Sequence, residues 1–221
     1  MREQMLCKDT VRGNILEAAK KRFVHYGYAK TTMAEIAADC NMSPGNLYRY
    51  FPGKLDIAEA IASEAGEQAI AKLRDVLKNP GRSAKERMRD FLFADMRLTY
   101  EQLEYDKQVY EMARVISTER PQFANRILAL HRALLSEILA AGNASGEFSV
   151  EDVVFTAEMI QSATMKFRYP QLHSKLPYEK LERELEGVAH LLLNGLDDGG
   201  AGRDQPRKLQ TEQRSETLVS I

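Results

Sequence analysis

The chain has 221 residues, 44% of them hydrophobic and 29% charged, and a net charge of −1. This is the composition of an ordinary globular protein, long enough for one or two domains with a real core. No run of 18 apolar residues occurs and the start, MREQMLCKDTVRGN, lacks the apolar segment of a leader, so neither membrane spans nor export are expected and the cytoplasm is the default compartment. Cys7 and Cys40 fall in no CxxC motif, and a disulfide framework or cysteine metal site is not expected.

Charge is unevenly placed. Residues 1–54 hold nine basic and five acidic side chains, a net of +4, which leaves −5 on the remainder. A basic end on an acidic body suits a polyanion-binding module.

Strand signals are nearly absent and the chain reads as all-α. A first helix is expected over Val11–Tyr26, with Ile15, Ala18, Ala19 and Phe23 on one stripe and Gly27 as its left-handed cap. Thr32 to Glu35 is a capping box opening a short second helix, with Met33, Ile36 and Ala37 inward. Asn41 closes it, Ser43 caps a third helix with Pro44 at its first position, and Pro52-Gly53 stops that helix after Phe51. Longer helices follow: Leu55–Lys78, then one from the Ser83–Glu86 capping box past Tyr100, and one from Asp106 through Ser117. Three more are expected over Pro121–Gly142, from a Ser149 cap over Val150–Arg168, and over Tyr178–Leu196. Residues 197–221 are polar and read as a disordered tail.

Two short helices joined by a tight turn form a helix-turn-helix arrangement, whose second helix enters the major groove. Pro44 and Gly45 keep its tip slim. Asn46 and Arg49 suit base edges, and Tyr48, Tyr50 and Lys54 suit phosphates. Leu47 and Phe51 face inward. Aromatics at helical spacing fit a core equally well, however, and Pro-Gly fits a plain turn, so the pattern alone leaves a helical scaffold open as the rival reading.

The stretch Ile15–Ile61 resembles the DNA-binding domain of the tetracycline-repressor (TetR) family. The resemblance rests on the Ile-Leu-x-Ala-Ala start, Phe23, Gly27-Tyr28, the Thr31-Thr32 entry to MAEIA, and the Ser-x-Gly-x-Leu-Tyr-x-x-Phe-x-x-Lys run from Ser43 to Lys54. Asn41 stands where the family usually has Gly, and Asn46 where it often has Thr or Ser.

The resemblance implies a homodimeric, ligand-responsive regulator, a repressor, of about nine helices per chain. Its parts would be a DNA-binding head over 1–54, a regulatory and dimerisation body over 55–196, and the tail over 197–221. Expected DNA contacts are Thr32, Pro44, Gly45, Asn46, Tyr48, Arg49, Tyr50 and Lys54, on a double-stranded palindromic operator. The implied ligand is small and partly apolar, and the expected pocket residues are Phe93, Met96, Tyr100, Tyr110, Met112 and Met165. The last two helices would form an intersubunit bundle through Val153, Ala157, Ile160, Leu185, Val188 and Leu192; the same stripes also fit an intrachain core. No cofactor or metal is expected. His131 and His190 lie on helices and could orient a ligand or metal, but without HxxxH or HxxE partners such a histidine is more often a packing or surface group. Nothing resembles a catalytic arrangement, and no enzyme is expected. Arg168 and the run RYPQLH near the expected seam have no assigned role.

Overall fold

The computed structural model describes the backbone over residues 2–79, 81–105, 107–168 and 176–197, and the side chains over 9–79, 81–101, 111–168 and 176–196. The described residues form ten helices: α1 (Arg2–Tyr26), α2 (Met33–Asp39), α3 (Pro44–Tyr48), α4 (Lys54–Leu77), α5 (Ala84–Tyr105), α6 (Lys107–Glu119), α7 (Pro121–Ser145), α8 (Val153–Ala163), α9 (Met165–Arg168) and α10 (Tyr178–Asp197). None is long and apolar enough to cross a membrane. The tail from 198, and the side chains of Asp106 and Tyr110, lie outside the described residues.

Local chemistry sets most boundaries. Gly27, at φ 91°, ends α1, its N–H donating to the Phe23 carbonyl at 3.0 Å. Thr32 and Glu35 form both bonds of the capping box on α2. Asn41 takes the left-handed conformation, φ 53°, that aims the chain at α3, a region Asn tolerates. Ser83 and Glu86 cap α5 reciprocally, at 2.9 and 3.2 Å. α1 starts well before Val11, through Glu3, Gln4, Met5 and Leu6, which all favour helix.

Further boundaries differ from expectation. α3 ends at Tyr48 rather than Phe51, although the Phe51 amide still reaches the Leu47 carbonyl at 3.1 Å. α7 passes through Gly142 to Ser145 and stops at Gly146, φ 76°. Gly142 is a notch, since a Cβ there would lie 2.0 Å from Cδ2 of the buried Phe148. The expected helix 150–168 is shortened and divided. The Asn143 side chain holds the Val150 backbone outside the helix, accepting from its amide at 2.9 Å and donating to its carbonyl at 2.7 Å, and Asp152 rather than Ser149 caps α8. At the other end the Thr164 hydroxyl donates back to the Ile160 carbonyl at 2.8 Å, a competing bond of the kind that bends helices, and α9 follows as a separate turn.

Two apolar clusters result. The head cluster unites α1, α2, α3 and the first turns of α4 through Ile15, Phe23, Ile36, Leu47, Phe51, Ile57 and Ile61; Met112 and Ile116 of α6 join it. The body cluster takes Ile70 and Leu73 from the far end of α4, with α5, α7, α8, α9 and α10 around Phe91, Met96, Leu134, Leu139, Ile160, Phe167 and Leu185. At 1.5 Å per residue, the 24 residues of α4 make a rod about 36 Å long shared by both.

Candidate nucleic-acid interface

The recognition helix is held from behind. Leu47 and Phe51 are fully buried against α1 and α2, and Ser43 accepts the Asn46 amide at 3.3 Å. Arg12 of α1 stacks its guanidinium over the Phe51 ring, 4.1 Å from its centroid, which supports the end of α3 from outside. With Leu47 inward, Pro44, Gly45, Tyr48 and Arg49 face solvent, and Asn46 is half-buried. A Cβ on Gly45 would meet nothing within 4 Å, so the tip of α3 is open to close approach. Tyr48 is 51% exposed. The Arg49 guanidinium makes no ion pair or hydrogen bond among the described residues.

α2 is fixed relative to α1 by charge. Arg22 forms a bidentate pair with Asp39, the second contact at 3.0 Å, and reaches Glu35 at 3.4 Å. Thr32, through its hydroxyl and amide, and Arg22 beyond it hold the Glu35 carboxyl below its usual range. Thr32 itself is exposed at the start of α2, but its hydroxyl is engaged as the cap.

Two of the expected phosphate donors depart from expectation. Lys54 turns its ammonium into the α1–α2 loop, donating to the Tyr28 and Thr31 carbonyls at 2.7 Å each, with the nitrogen 4.4 Å from the Tyr28 ring centroid. Burial lowers its pKa. In this structure its ammonium is engaged by these carbonyls. Tyr50 is half-buried against the head cluster, so only part of its ring faces outward.

The expected pocket residues do not converge. Phe93 lies under Arg89, 4.6 Å from its ring centroid, in an open groove of about 780 Å³ between α4, α5 and α10. Tyr100 meets Tyr178 edge-on at 5.2 Å in the next groove. Met96 is in the body core, Met112 in the head cluster, and Met165 is part-exposed on α9. α6 packs on α1 and α4, which turns Met112 to the head. The residues expected at the interface are turned to different degrees toward the chain's own core. Ala157, Ile160 and Leu185 are fully buried within the chain, and Val153, Val188 and Leu192 are half-buried against the same core. On α8 and α10, among the described residues, the large apolar side chains left exposed are Val154 (65%), Phe155 (56%), Met159 and Leu191 (73%).

The site the sequence did not assemble is polar. Asp95 of α5 stands with Oδ2 3.0 Å from Nε of Arg168 and Oδ1 3.4 Å from Nδ1 of His131, all three side chains close to nine-tenths buried. Burial pushes the Asp95 carboxyl up, but Arg168 and His131 outweigh it and hold the carboxyl below its usual range. The only trace in sequence is an acid inside the apolar run FLFADM.

Comparison with known proteins agrees with this architecture. Residues 15–66 match the family described as bacterial regulatory proteins, tetR family, and residues 84–189 match the tetracyclin repressor-like C-terminal domain. UidR, a helix-turn-helix transcriptional regulator of Escherichia coli strain K12, is 34% identical over 67 residues, 30% of this chain and 34% of UidR. The transcriptional activator FasR of Mycolicibacterium smegmatis is 29% identical over 111 residues, 50% of this chain and 48% of FasR. The chain thus spans about a third of UidR and half of FasR in these matches. A transcriptional regulator from Cytophaga hutchinsonii superposes with a TM-score of 0.64 at 26% identity, over 83% of this chain and 96% of that one. A helix-turn-helix head and a helical body, each matching its own half of one family, identify the chain as a member of the TetR family of transcriptional regulators.

Proposed function

We propose that the chain is a ligand-responsive homodimeric regulator that binds a palindromic operator as a repressor and is released by a small molecule in its body. The observation that carries this is α3: a helix pinned by Leu47 and Phe51 that presents Asn46, Tyr48 and an uncommitted Arg49 to solvent. Arg49 and Asn46 would read bases, Tyr48 and the open face of Tyr50 would contact phosphates, and Pro44, Gly45 and Thr32 would border the groove. Such a role belongs in the cytoplasm. The rival, a ligand- or partner-binding protein keeping its head as scaffold, offers no reason for a recognition face left without internal partners.

Dimerisation through the outer faces of α8 and α10 follows from Val154, Phe155, Met159 and Leu191, apolar side chains exposed among the described residues. Gly187 and Gly195 flank Leu191 at four-residue spacing, and a Cβ on either would meet nothing within 4 Å. A partner helix could approach closely there. Because half-site spacing is geometric, a shift of the body that re-spaces two heads would abolish binding. α4 links both cores and α6 reaches into the head, so a change in the body has a material path to α3.

The test is selection of bound fragments from genomic DNA by the wild type and by Arg49→Ala. A palindrome bound by the wild type, with relaxed preference and a loss of about 1–3 kcal/mol for the variant, supports the reading. Equal losses on specific and random DNA would remove Arg49 from base reading. FasR is described as an activator, and a ligand that strengthens operator binding would favour that second reading.

A further inference from the structure

Arg12 and Arg22 stand on the same helix, and the chain treats them differently. Arg22 is engaged by Asp39 and Glu35 and fixes α2 against α1. Arg12 is exposed and meets no acid: its contacts among the described residues are the Phe51 ring, whose centroid lies 4.1 Å from the guanidinium carbon, and the Tyr50 carbonyl, to which one terminal nitrogen donates at 3.4 Å. Asp9, three residues earlier on α1 and also exposed, forms no ion pair with it.

This leaves a full positive charge with donors to spare. A guanidinium carries five N–H groups in a planar fork. The bond to Tyr50 uses one of them, at the long end of hydrogen-bonding distance. Stacking on Phe51 covers a face of the plane and fixes its orientation, while the donors lie along the edges.

The place is as informative as the charge. Tyr50 and Phe51 follow directly on α3, so Arg12 stands at the C-terminal end of the recognition helix. The five residues of α3 rise about 7.5 Å, less than the roughly 12 Å width of a major groove. A helix that short meets the phosphate walls of the groove through groups beside its ends. A bare carbonyl at this end would repel a phosphate, and the Arg12 guanidinium shields it.

We infer that Arg12 is a DNA-contact residue supplied to the recognition helix by α1: one edge of its guanidinium holds the Tyr50 carbonyl, and another donates to an oxygen of a backbone phosphate. This rests on the reading of α3 as the recognition helix and adds a phosphate contact to it. The contact reads no base. It sets the register in which Asn46 and Arg49 meet theirs, because a single side chain grips both the end of the helix and the strand.

Anisotropy titrations of the full chain test it, with a labelled random-sequence duplex and with the palindrome selected from genomic DNA, between about 50 and about 200 mM salt. Arg12→Ala should weaken binding to both duplexes about tenfold or more at the lower salt, and should flatten the slope of log affinity against log salt by about 0.9 for each bound chain. Arg12→Lys keeps the charge without the planar fork; it should restore the slope and recover only part of the affinity. Because the residue is exposed, both variants should keep the circular dichroism of the wild type. Unchanged binding by Arg12→Ala would overturn the proposal, and a loss with an unchanged slope would make Arg12 a support for α3 alone and overturn it too. So would a loss confined to the palindrome, a slope that lysine fails to restore, or a lysine variant equal to the wild type. A wild type that binds neither duplex would instead sink the reading of α3 as the recognition helix.

Discussion

Arg120, at the junction of α6 and α7, places its guanidinium 2.9 Å from Asp56 and 3.4 Å from Glu59 on the first turns of α4. The three side chains are about one-third exposed, so the contact is worth about 1 kcal/mol. Its position matters more than its strength, because it joins the body's chain reversal to the start of the rod that carries the head. Arg120→Ala should lower thermal stability by a few degrees and change operator affinity more than affinity for any body ligand. Combined with Asp56→Ala, the losses should be less than additive. Additive losses in a double-mutant cycle would dismiss the coupling.

Lys54 supports the head from within. Lys54→Ala should cost about 1–3 kcal/mol by leaving the Tyr28 and Thr31 carbonyls without their donor, and should weaken binding to all DNA sequences through displacement of the loop. The slope of affinity against salt should stay the same. A slope reduced by about one would instead restore Lys54 as a phosphate contact.

The two sets of apolar residues on α8 and α10 should separate by mutation. Phe155→Glu or Leu191→Glu should leave each chain folded and shift the sedimenting species from dimer to monomer. Ile160→Ala and Leu185→Ala, both fully buried, should cost about 2–5 kcal/mol. A monomeric wild type would remove the interface altogether.

Gly142→Ala should destabilise although alanine is the better helix former. Its Cβ would collide with the Phe148 ring, which is buried in the body core. Overpacking of this kind costs about 1–3 kcal/mol. Gly187→Ala, with open space around it, should be neutral or slightly stabilising in the isolated chain, as urea midpoints of the two variants will show.

Glu147 predicts a pH dependence. Its carboxylate accepts the Ala84 amide at 2.9 Å and the Lys85 amide at 3.3 Å, at the start of α5, and the Ala84 bond is the chief cause holding its pKa below the usual value. A depressed carboxyl pKa contributes stability above the unfolded-state pKa and loses it as pH falls through the folded one. Glu147→Gln should therefore melt below the wild type at neutral pH, with the gap closing in acid below the ordinary carboxylate range. A gap independent of pH would assign the effect to packing.

What the amino-acid sequence determined by itself was the punctuation and the head. Gly27, Thr32–Glu35, Asn41, Ser43-Pro44 and Ser83–Glu86 act through bonds to backbone within a few residues, so they are readable without knowing what packs on what. The spaced motif from Ile15 to Lys54 is local in the same sense. The tertiary structure alone decided which of two apolar faces on α8 and α10 turns to the chain's own core, because helical periodicity marks a stripe without saying what covers it. It also decided that the Lys54 ammonium enters a loop twenty-odd residues earlier in the chain, and that Gly142 makes room for a ring. The Asp95, His131 and Arg168 cluster was invisible for the same reason: its members come from three helices, separated by 36 and 37 residues in sequence, and only the packing of α5, α7 and α9 brings them to one point.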